Sequence, residues 1–300
     1  MKIVFMGSPE FAIPSLEKLL NSNYSVELVV SAPDKERGRG KKILPTPVKE
    51  FALSKGLKVL TPLSLKEDSF IKQLKEINAD LFVVVAFRIL PREVFTIPSK
   101  GSFNLHASLL PKYRGAAPIQ WALINGEKET GVTTFFLEES VDTGNIILQE
   151  KIKIEDEDNF GSLHDKLMNL GADVVLKTVE LINSGNYQLI KQDDSLASPA
   201  PKITKELCRI DWSKSAREIH NLVRGLSPHP CAFFEHQGKI YKVYKTQIVE
   251  NIILEPSKIL QTKKEIFIGT NNGTIQILEL QAEGRKRMTA EEFLRGYSLL

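Results

Sequence analysis

The chain has 300 residues, of which 42% are hydrophobic and 26% are charged, which is enough apolar material for one large domain or two ordinary ones. Its two cysteines, Cys208 and Cys231, are too few for a disulfide framework, and no metal-binding spacing of Cys and His is visible. The longest apolar run, from Leu81 to Arg88, is far shorter than the roughly 20 residues that span a bilayer, and no secretion signal precedes it. We therefore expect a cytoplasmic protein with neither a metal nor a membrane segment.

The net charge of +3 is too small to indicate a partner by itself. Residues 207–300 nevertheless hold 14 Lys and Arg against 10 Asp and Glu. A surplus of this size fits either an ordinary solvated surface or a polyanionic partner, so charge alone leaves both open.

Apolar runs alternate with amphipathic segments over the first 184 residues, which is the rhythm of βαβ units. We predict strands at 2–6, 26–31, 58–60, 80–87, 101–106, 132–137 and 146–154. We predict helices at 11–20, 46–55, 66–77 and 160–184. The run DLFVVVAF at 80–87 is apolar throughout, which indicates a strand buried on both faces. The pattern predicts an open, mostly parallel, Rossmann-like α/β sheet with helices on both faces.

The periodic pattern stops at 187–206, where the chain is polar and contains two closely spaced prolines, so we interpret this segment as a linker. A helical pattern follows Asp211, which we predict to be its N-terminal cap. Short alternating segments between 231 and 282 then predict strands joined by tight turns. The last part of the chain is therefore expected to form a small β-barrel.

The stretch NLHASLLPKYRGAAP, from Asn104 to Pro118, contains the strongest candidates for chemistry. Asn104 and His106 are two apart near the C-terminal end of a predicted strand, so both side chains leave one face where open α/β sheets bind ligands. An amide can donate to a developing oxyanion while an imidazole transfers a proton, which is what acyl transfer requires. Two polar residues on one strand face are also common at an exposed edge, so the pair alone leaves both interpretations open.

The residues that follow strengthen the functional interpretation. Ser108, Leu109, Leu110 and Pro111 form an apolar turn whose backbone could contact a flat heterocycle. Asp142 lies in a later turn, where an aspartate is usually a cap. Beside His106, however, its carboxylate would hold the imidazole tautomer and favour the protonated ring.

The string NLHASLLPKYRGAAPIQWA, followed by DTG in VDTGNI, resembles the signature of the folate-dependent formyltransferases. The resemblance implies that Asn104, His106 and Asp142 are catalytic, that 10-formyltetrahydrofolate is the formyl donor and that no metal takes part. It also implies a catalytic domain at 1–186, a linker at 187–206 and an OB-like β-barrel at 207–300 that contacts tRNA.

Family members differ in the acceptor, and a basic segment favours RNA here. The resemblance extends over nearly the whole chain, and Arg37, Arg39, Lys41 and Lys42 lie in a glycine-rich loop suited to phosphate contacts. A solvated loop is the plain alternative. We expect the acceptor to be the amino group of methionyl initiator tRNA, which would serve translation initiation, and we expect a monomer.

One departure from the family concerns the folate pocket. Relatives usually read VVAYGQILP where this chain reads VVAFRILP, so the contacts made by Phe87, Arg88, Ile89 and Leu90 differ in detail although we still expect these residues to line the pocket.

Other functions stay open at this point. An amino sugar nucleotide or a purine precursor could be the acceptor, and water would make the chain a formylfolate hydrolase. A non-catalytic RNA-binding protein would not need Asn104, His106 and Asp142. A dehydrogenase is disfavoured because Gly7 is followed by no further glycines of a dinucleotide-binding loop.

Overall fold

The structure of the chain, a computed structural model, describes residues 1–37 and 42–300. Their contacts form two compact units. The first unit consists of Met1–Gly115, Thr130–Ile152 and His164–Pro199. The second consists of Ala116–Glu129, Lys153–Leu163 and Ala200–Leu300. Each unit is thus assembled from segments that are not contiguous in sequence, while the predicted domain boundaries at 186 and 207 stay a prediction.

The secondary structure follows the chain in this order. The strands are β1 (Lys2–Gly7), β2 (Ser25–Val30), β3 (Lys35–Arg37), β4 (Lys42–Leu44), β5 (Val59–Leu60), β6 (Leu81–Val85), β7 (Ser102–His106), β8 (Arg114–Gly115), β9 (Glu129–Phe136), β10 (Ile146–Lys153), β11 (Pro199–Ala200), β12 (Ala232–His236), β13 (Lys239–Val249), β14 (Ile259–Gln261), β15 (Ile266–Gly269), β16 (Thr274–Ala282) and β17 (Met288–Thr289). The helices are α1 (Ile13–Leu20), α2 (Pro47–Ser54), α3 (Asp68–Ile77), α4 (Arg92–Phe95), α5 (Pro118–Ile124), α6 (Phe160–Ser184), α7 (Ala216–Leu226) and α8 (Ala290–Leu294).

Seven strands in the order β10-β9-β7-β6-β1-β2-β5 form the sheet of the first unit. The pairs β1–β2, β1–β6, β2–β5 and β6–β7 are parallel, whereas β7 and β9 are antiparallel. Every residue of β6 is buried, as expected for a strand covered on both faces. The predicted open and mostly parallel sheet is confirmed.

One face of this sheet is covered by α3 and α4. Phe82 and Val84 of β6 share an apolar cluster with Phe70 and Leu74 of α3. Since alternate residues of a strand point to opposite faces, this cluster defines the α3 side of the sheet.

The opposite face is covered by α6. A Cβ added at Gly171 of α6 would lie 2.6 Å from Leu105 Cδ2 of β7, so the helix backbone approaches the strand closely. Thr178 of α6 and Thr134 of β9 also hydrogen-bond through their hydroxyls at 2.8 Å. Helices therefore lie on both faces, as predicted.

The predicted basic loop begins and ends in a short antiparallel ladder between β3 and β4. Lys35 pairs with Leu44, and Arg37 pairs with Lys42. Ile43 is 72% exposed, so the ladder does not bury its apolar side chains. Residues 38–41 lie outside the described part of the chain.

The second unit contains an antiparallel sheet in the order β12-β13-β16-β15-β14, with β17 paired to β16. The register of β13 against β16 shifts around Lys245, and such bulges bend a sheet. Within the described residues the sheet order does not join β12 to β14. The predicted small barrel is thus an open, curled antiparallel sheet.

Helix α7 packs on this sheet. Ile219, Val223 and Leu226 recur at helical spacing and are buried in one cluster with residues of the sheet. The prediction that Asp211 caps this helix is wrong. Ser215 is the cap, because its hydroxyl accepts from the N–H of Glu218 while its own N–H donates to the Glu218 carboxylate.

A polar cavity of ≈ 690 Å³ in the second unit is lined by both acidic and basic side chains and by His220 of α7. His220 Nδ1 lies 3.0 Å from Thr246 Oγ1. The pKa of His220 is lowered from 6.5 to about 4, mainly by burial and also by the nearby charges of Arg224 and Arg217. His220 is therefore neutral in the folded unit at neutral pH.

This lowered pKa predicts a pH dependence of stability. Between about pH 6.5 and pH 4 the unfolded chain binds a proton at His220 that the folded chain does not, so the free energy of unfolding falls as the pH falls through this window. We expect His220→Gln to flatten this part of the curve, measured by urea unfolding at several pH values. The exposed His229→Gln is the matched control, and an unchanged slope in His220→Gln would contradict the prediction.

Candidate functional site

Asn104 and His106 leave the same face at the C-terminal end of β7. Asn104 pairs with Val84 of β6, so both side chains belong to the face that α3 covers. Asn104 is half-buried, and no protein group within residues 1–37 and 42–300 hydrogen-bonds its side-chain amide. The amide donors are therefore available to a ligand at the sheet edge where such folds bind one.

The ring of His106 is held at one nitrogen. His106 is 7% exposed, and Nε2 lies 2.8 Å from the backbone carbonyl oxygen of Tyr113. A carbonyl only accepts, so Nε2 carries a proton and donates it to this bond. Nδ1 is the other ring nitrogen, and it faces Asp142.

Asp142 lies near His106 but does not make the bond that orients the ring. Its Oδ2 is 3.8 Å from His106 Nδ1, which is ion-pair distance and longer than a hydrogen bond. The same oxygen accepts from the N–H of Gly115 at 2.8 Å. Sequence reasoning assigned the tautomer to Asp142, whereas in the structure the Tyr113 carbonyl determines it.

The turn that carries Asp142 is held in an unusual conformation. Asp142 has a φ of 57°, in the left-handed region that non-glycine residues seldom adopt. Gly144, two residues later, packs against the backbone of Phe136. A Cβ added at Gly144 would lie 1.7 Å from the carbonyl oxygen of Phe136. The position of the carboxylate therefore depends on its surroundings.

Gln192 is a contributor that sequence reasoning missed. Its side-chain amide donates to the carbonyl oxygens of Asp142 at 2.9 Å and Gly144 at 2.8 Å. It lies in the predicted linker, where polar residues indicate a solvated segment, yet it is only 6% exposed. No local pattern in the sequence signals this burial.

The predicted turn of the folate pocket is mostly bonded to the protein. Ser108 is fully buried, and its hydroxyl donates to the Lys112 carbonyl at 2.6 Å. The Leu110 N–H donates to Thr133 Oγ1, and the Leu110 carbonyl accepts from Gln149 at 2.7 Å. Of the turn's side chains, Leu109 and Pro111 are partly exposed and Leu110 is buried.

The other predicted wall of the pocket follows β6. Arg88 donates to the carbonyls of Pro62 and Leu63 at 2.9 and 3.0 Å and stacks over Phe87, 5.3 Å from the ring centre. Burial lowers its pKa while Glu67 opposes that shift. Ile89 is 73% exposed, whereas Leu90 is buried in the core on the α3 side. Phe87, Arg88 and Ile89 are thus at least partly exposed, whereas Leu90 is not.

The predicted RNA-contacting residues are described only in part. Arg39 and Lys41 lie outside the described residues, and Arg37 is described only as the last residue of β3. Lys42 is exposed at the start of β4.

Among the described residues, no group of three or more His, Cys, Asp and Glu side chains is placed to hold a metal ion. None of the described helices combines the length and the hydropathy that crossing a membrane requires.

Comparison with known proteins covers the whole chain. A family model described as formyl transferase matches residues 1–179, and one described as formyl transferase, C-terminal domain, matches residues 202–298. A methionyl-tRNA formyltransferase of Caldanaerobacter subterraneus subsp. tengcongensis is 48% identical over 302 residues, covering 100% of this chain and 98% of that protein. A methionyl-tRNA formyltransferase of Flavobacterium johnsoniae is 49% identical, covering 99% and 96%.

Solved structures agree on the fold. WlaRD, a sugar 3N-formyl transferase crystallised in the presence of dTDP and 5-N-formyl-THF, has a TM-score of 0.70 at 25% identity, covering 95% of this chain and 99% of that one. HypX from Aquifex aeolicus in complex with tetrahydrofolic acid has a TM-score of 0.64 at 18% identity, covering 98% and 47%. The latter likeness concerns the fold alone.

The crowding at Gly144 gives a prediction about the Asp142 turn. We expect Gly144→Ala to displace the turn, because its Cβ would overlap the Phe136 carbonyl, and to lower the thermal unfolding midpoint. Gly296→Ala is the control, since an added Cβ there meets nothing within 4 Å. A midpoint for Gly144→Ala equal to that of Gly296→Ala would refute this account of the turn.

Proposed function

The chain belongs to the formyl transferase family, and we propose that it transfers a formyl group from 10-formyltetrahydrofolate to the amino group of methionyl initiator tRNA. The choice of acceptor is supported by identities of 48% and 49% to methionyl-tRNA formyltransferases along the whole chain. The sugar formyl transferase WlaRD shares only 25%. An amino sugar nucleotide or a purine precursor is therefore the weaker alternative.

The observation that carries the proposal is the side-chain amide of Asn104, two residues before His106, for which residues 1–37 and 42–300 provide no hydrogen-bond partner. The folate supplies an electrophilic formyl carbon, and the attacking amine moves negative charge onto the formyl oxygen. Asn104 donates to that oxygen, and a donor already in place costs no reorganisation when the charge develops. This donor fits the formyl group of the folate, because a half-buried amide that has no acceptor among the described residues matches a carbonyl ligand.

His106 provides the proton transfer. Its Nε2 is committed to the Tyr113 carbonyl, so Nδ1 is the nitrogen that gains and loses a proton. The carboxylate of Asp142, 3.8 Å from Nδ1, stabilises the charged ring. The protonated ring donates to the formyl oxygen or protonates the folate nitrogen as it leaves, and the ring is protonated again by the proton that the attacking amine loses.

The folate contacts are proposed for two segments at this sheet edge. Phe87 and Ile89 contribute apolar surface that is at least partly exposed. The partly exposed Arg88 is held by the carbonyls of Pro62 and Leu63, and Leu90 anchors the segment in the core. In the second segment, Leu109 and Pro111 offer partly exposed side chains, and Ser108 and Leu110 hold the turn in shape.

For the RNA we propose phosphate contacts by Arg37, Arg39, Lys41 and Lys42 and by the 207–300 part of the chain with its small basic surplus. An aminoacylated initiator tRNA as the acceptor places the reaction in the cytoplasm, and the proposed form is a monomer.

The decisive assay combines the purified chain, 10-formyltetrahydrofolate and methionyl initiator tRNA. The expected product is formylmethionyl-tRNA. Formylation of an amino sugar nucleotide with no product on tRNA would reject the proposed acceptor. Release of formate without any amine would instead identify a hydrolase.

Removal of the oxyanion donor tests the role of Asn104. We expect Asn104→Ala to lower the single-turnover rate by about a hundredfold to a thousandfold, the usual cost of one such donor, with the fold retained. The exposed Asn186→Ala is the matched control. A rate within twofold of the unsubstituted chain would exclude the proposed role.

The basic segment is tested by Arg39→Ala. We expect tRNA to be used less efficiently and the affinity for folate to be unchanged. The slope of log tRNA affinity against log salt concentration should fall by the amount that corresponds to about one phosphate contact. Lys72→Ala removes an exposed cation of α3 as the control. Equal losses for tRNA and folate would argue against the assigned role.

A further inference from the structure

Gln192 connects the catalytic turn to a segment that is distant in sequence. Four hydrogen bonds involve its buried side chain. Nε2 donates to the carbonyls of Asp142 and Gly144, at 2.9 and 2.8 Å. Oε1 accepts from Nε and Nη2 of Arg114, at 3.1 and 2.8 Å. The hydrogen-bonding capacity of the amide is therefore largely used in this one arrangement.

The chemistry of these partners determines which way the amide points. Arg114 has donors only, so it requires the oxygen of Gln192, and the two carbonyls accept only, so they require the nitrogen. A glutamate could keep the pairing with Arg114 but would direct a carboxylate at two carbonyl oxygens. Glutamine is thus suited to this position by donor pattern as well as by length.

The same network holds Asp142 from two directions. Gly115, the neighbour of Arg114, donates its N–H to the Asp142 carboxylate, while Gln192 holds the Asp142 carbonyl. Arg114 itself donates to Gln192 and to Asp194 at 2.8 Å. Because Asp142 has a left-handed φ of 57°, these contacts oppose its relaxation away from His106.

We propose that Gln192 is a positioning residue for formyl transfer, which acts by holding the Asp142 turn so that its carboxylate stays beside His106. The inference rests on the proposed function and adds a residue of the 187–206 segment to the machinery of the same site. It concerns the chemical step, because the four side-chain hydrogen bonds of Gln192 go to Arg114, Asp142 and Gly144, and none goes to the Asn104 amide or to the predicted folate residues.

The primary test is Gln192→Met, which keeps the length of the side chain and removes all four hydrogen bonds. A displacement of a catalytic group by about 1 Å can cost on the order of a hundredfold, so we expect the single-turnover rate to fall by about tenfold to a hundredfold. We expect the KM of Gln192→Met for 10-formyltetrahydrofolate to stay within about twofold of the value for the unsubstituted chain. Gln188→Met, an exposed substitution of the same kind, keeps the rate of the unsubstituted chain.

A double-mutant cycle distinguishes positioning from general support of the fold. In an Asp142→Ala background there is no carboxylate for Gln192 to position. We therefore expect Gln192→Met to lower the rate of that variant by less than about twofold. The pH profile of the rate for Gln192→Met is also expected to approach that of Asp142→Asn. An equal loss in both backgrounds, or a pH profile parallel to that of the unsubstituted chain, overturns the inference.

Gln192→Glu covers the case in which Gln192→Met does not fold. This variant preserves volume and the pairing with Arg114 but sets a carboxylate oxygen against the carbonyls of Asp142 and Gly144. We expect it to fold with a lower thermal unfolding midpoint and to show the same loss of rate. Full activity in Gln192→Glu overturns the inference. Failure of the unsubstituted chain to formylate methionyl-tRNA would reject the proposed function instead, so the two failures are distinguishable.

Discussion

The hydrogen bond from His106 Nε2 to the Tyr113 carbonyl is the interaction on which the site depends. It joins the end of β7 to the turn that follows and leaves Nδ1 to face Asp142. Because a carbonyl cannot donate, the bond selects one tautomer of the neutral ring. The proton-transfer nitrogen of the proposed mechanism follows from this selection.

Several segments that are far apart in sequence meet around this bond. Gly115 holds the Asp142 carboxylate, and Gln192 holds the Asp142 backbone. Buried hydrogen bonds of this kind are stronger than exposed ones, and an unmade one is costly, so the network favours a single arrangement. Asp142 keeps its left-handed backbone conformation because these hydrogen bonds hold it in place.

The two units carry different polar features. The first places an oriented imidazole and an amide with no partner in the described part of the chain at the edge of a mostly parallel sheet, where ligands bind in folds of this type. The second packs α7 on a curled antiparallel sheet and keeps His220 neutral through burial.

Local patterns in the sequence were sufficient for the parallel sheet, for the shared face of Asn104 and His106, and for the family. These features depend on strand periodicity and on a contiguous motif, both of which can be read from neighbouring residues. The Tyr113 carbonyl and the buried Gln192 could be found only in the tertiary structure. A backbone carbonyl is the same in every residue, and a glutamine in a polar segment looks solvated until distant parts of the chain enclose it. Long-range packing therefore decided how the proposed catalytic groups are held, while the sequence by itself was enough to propose which groups they are.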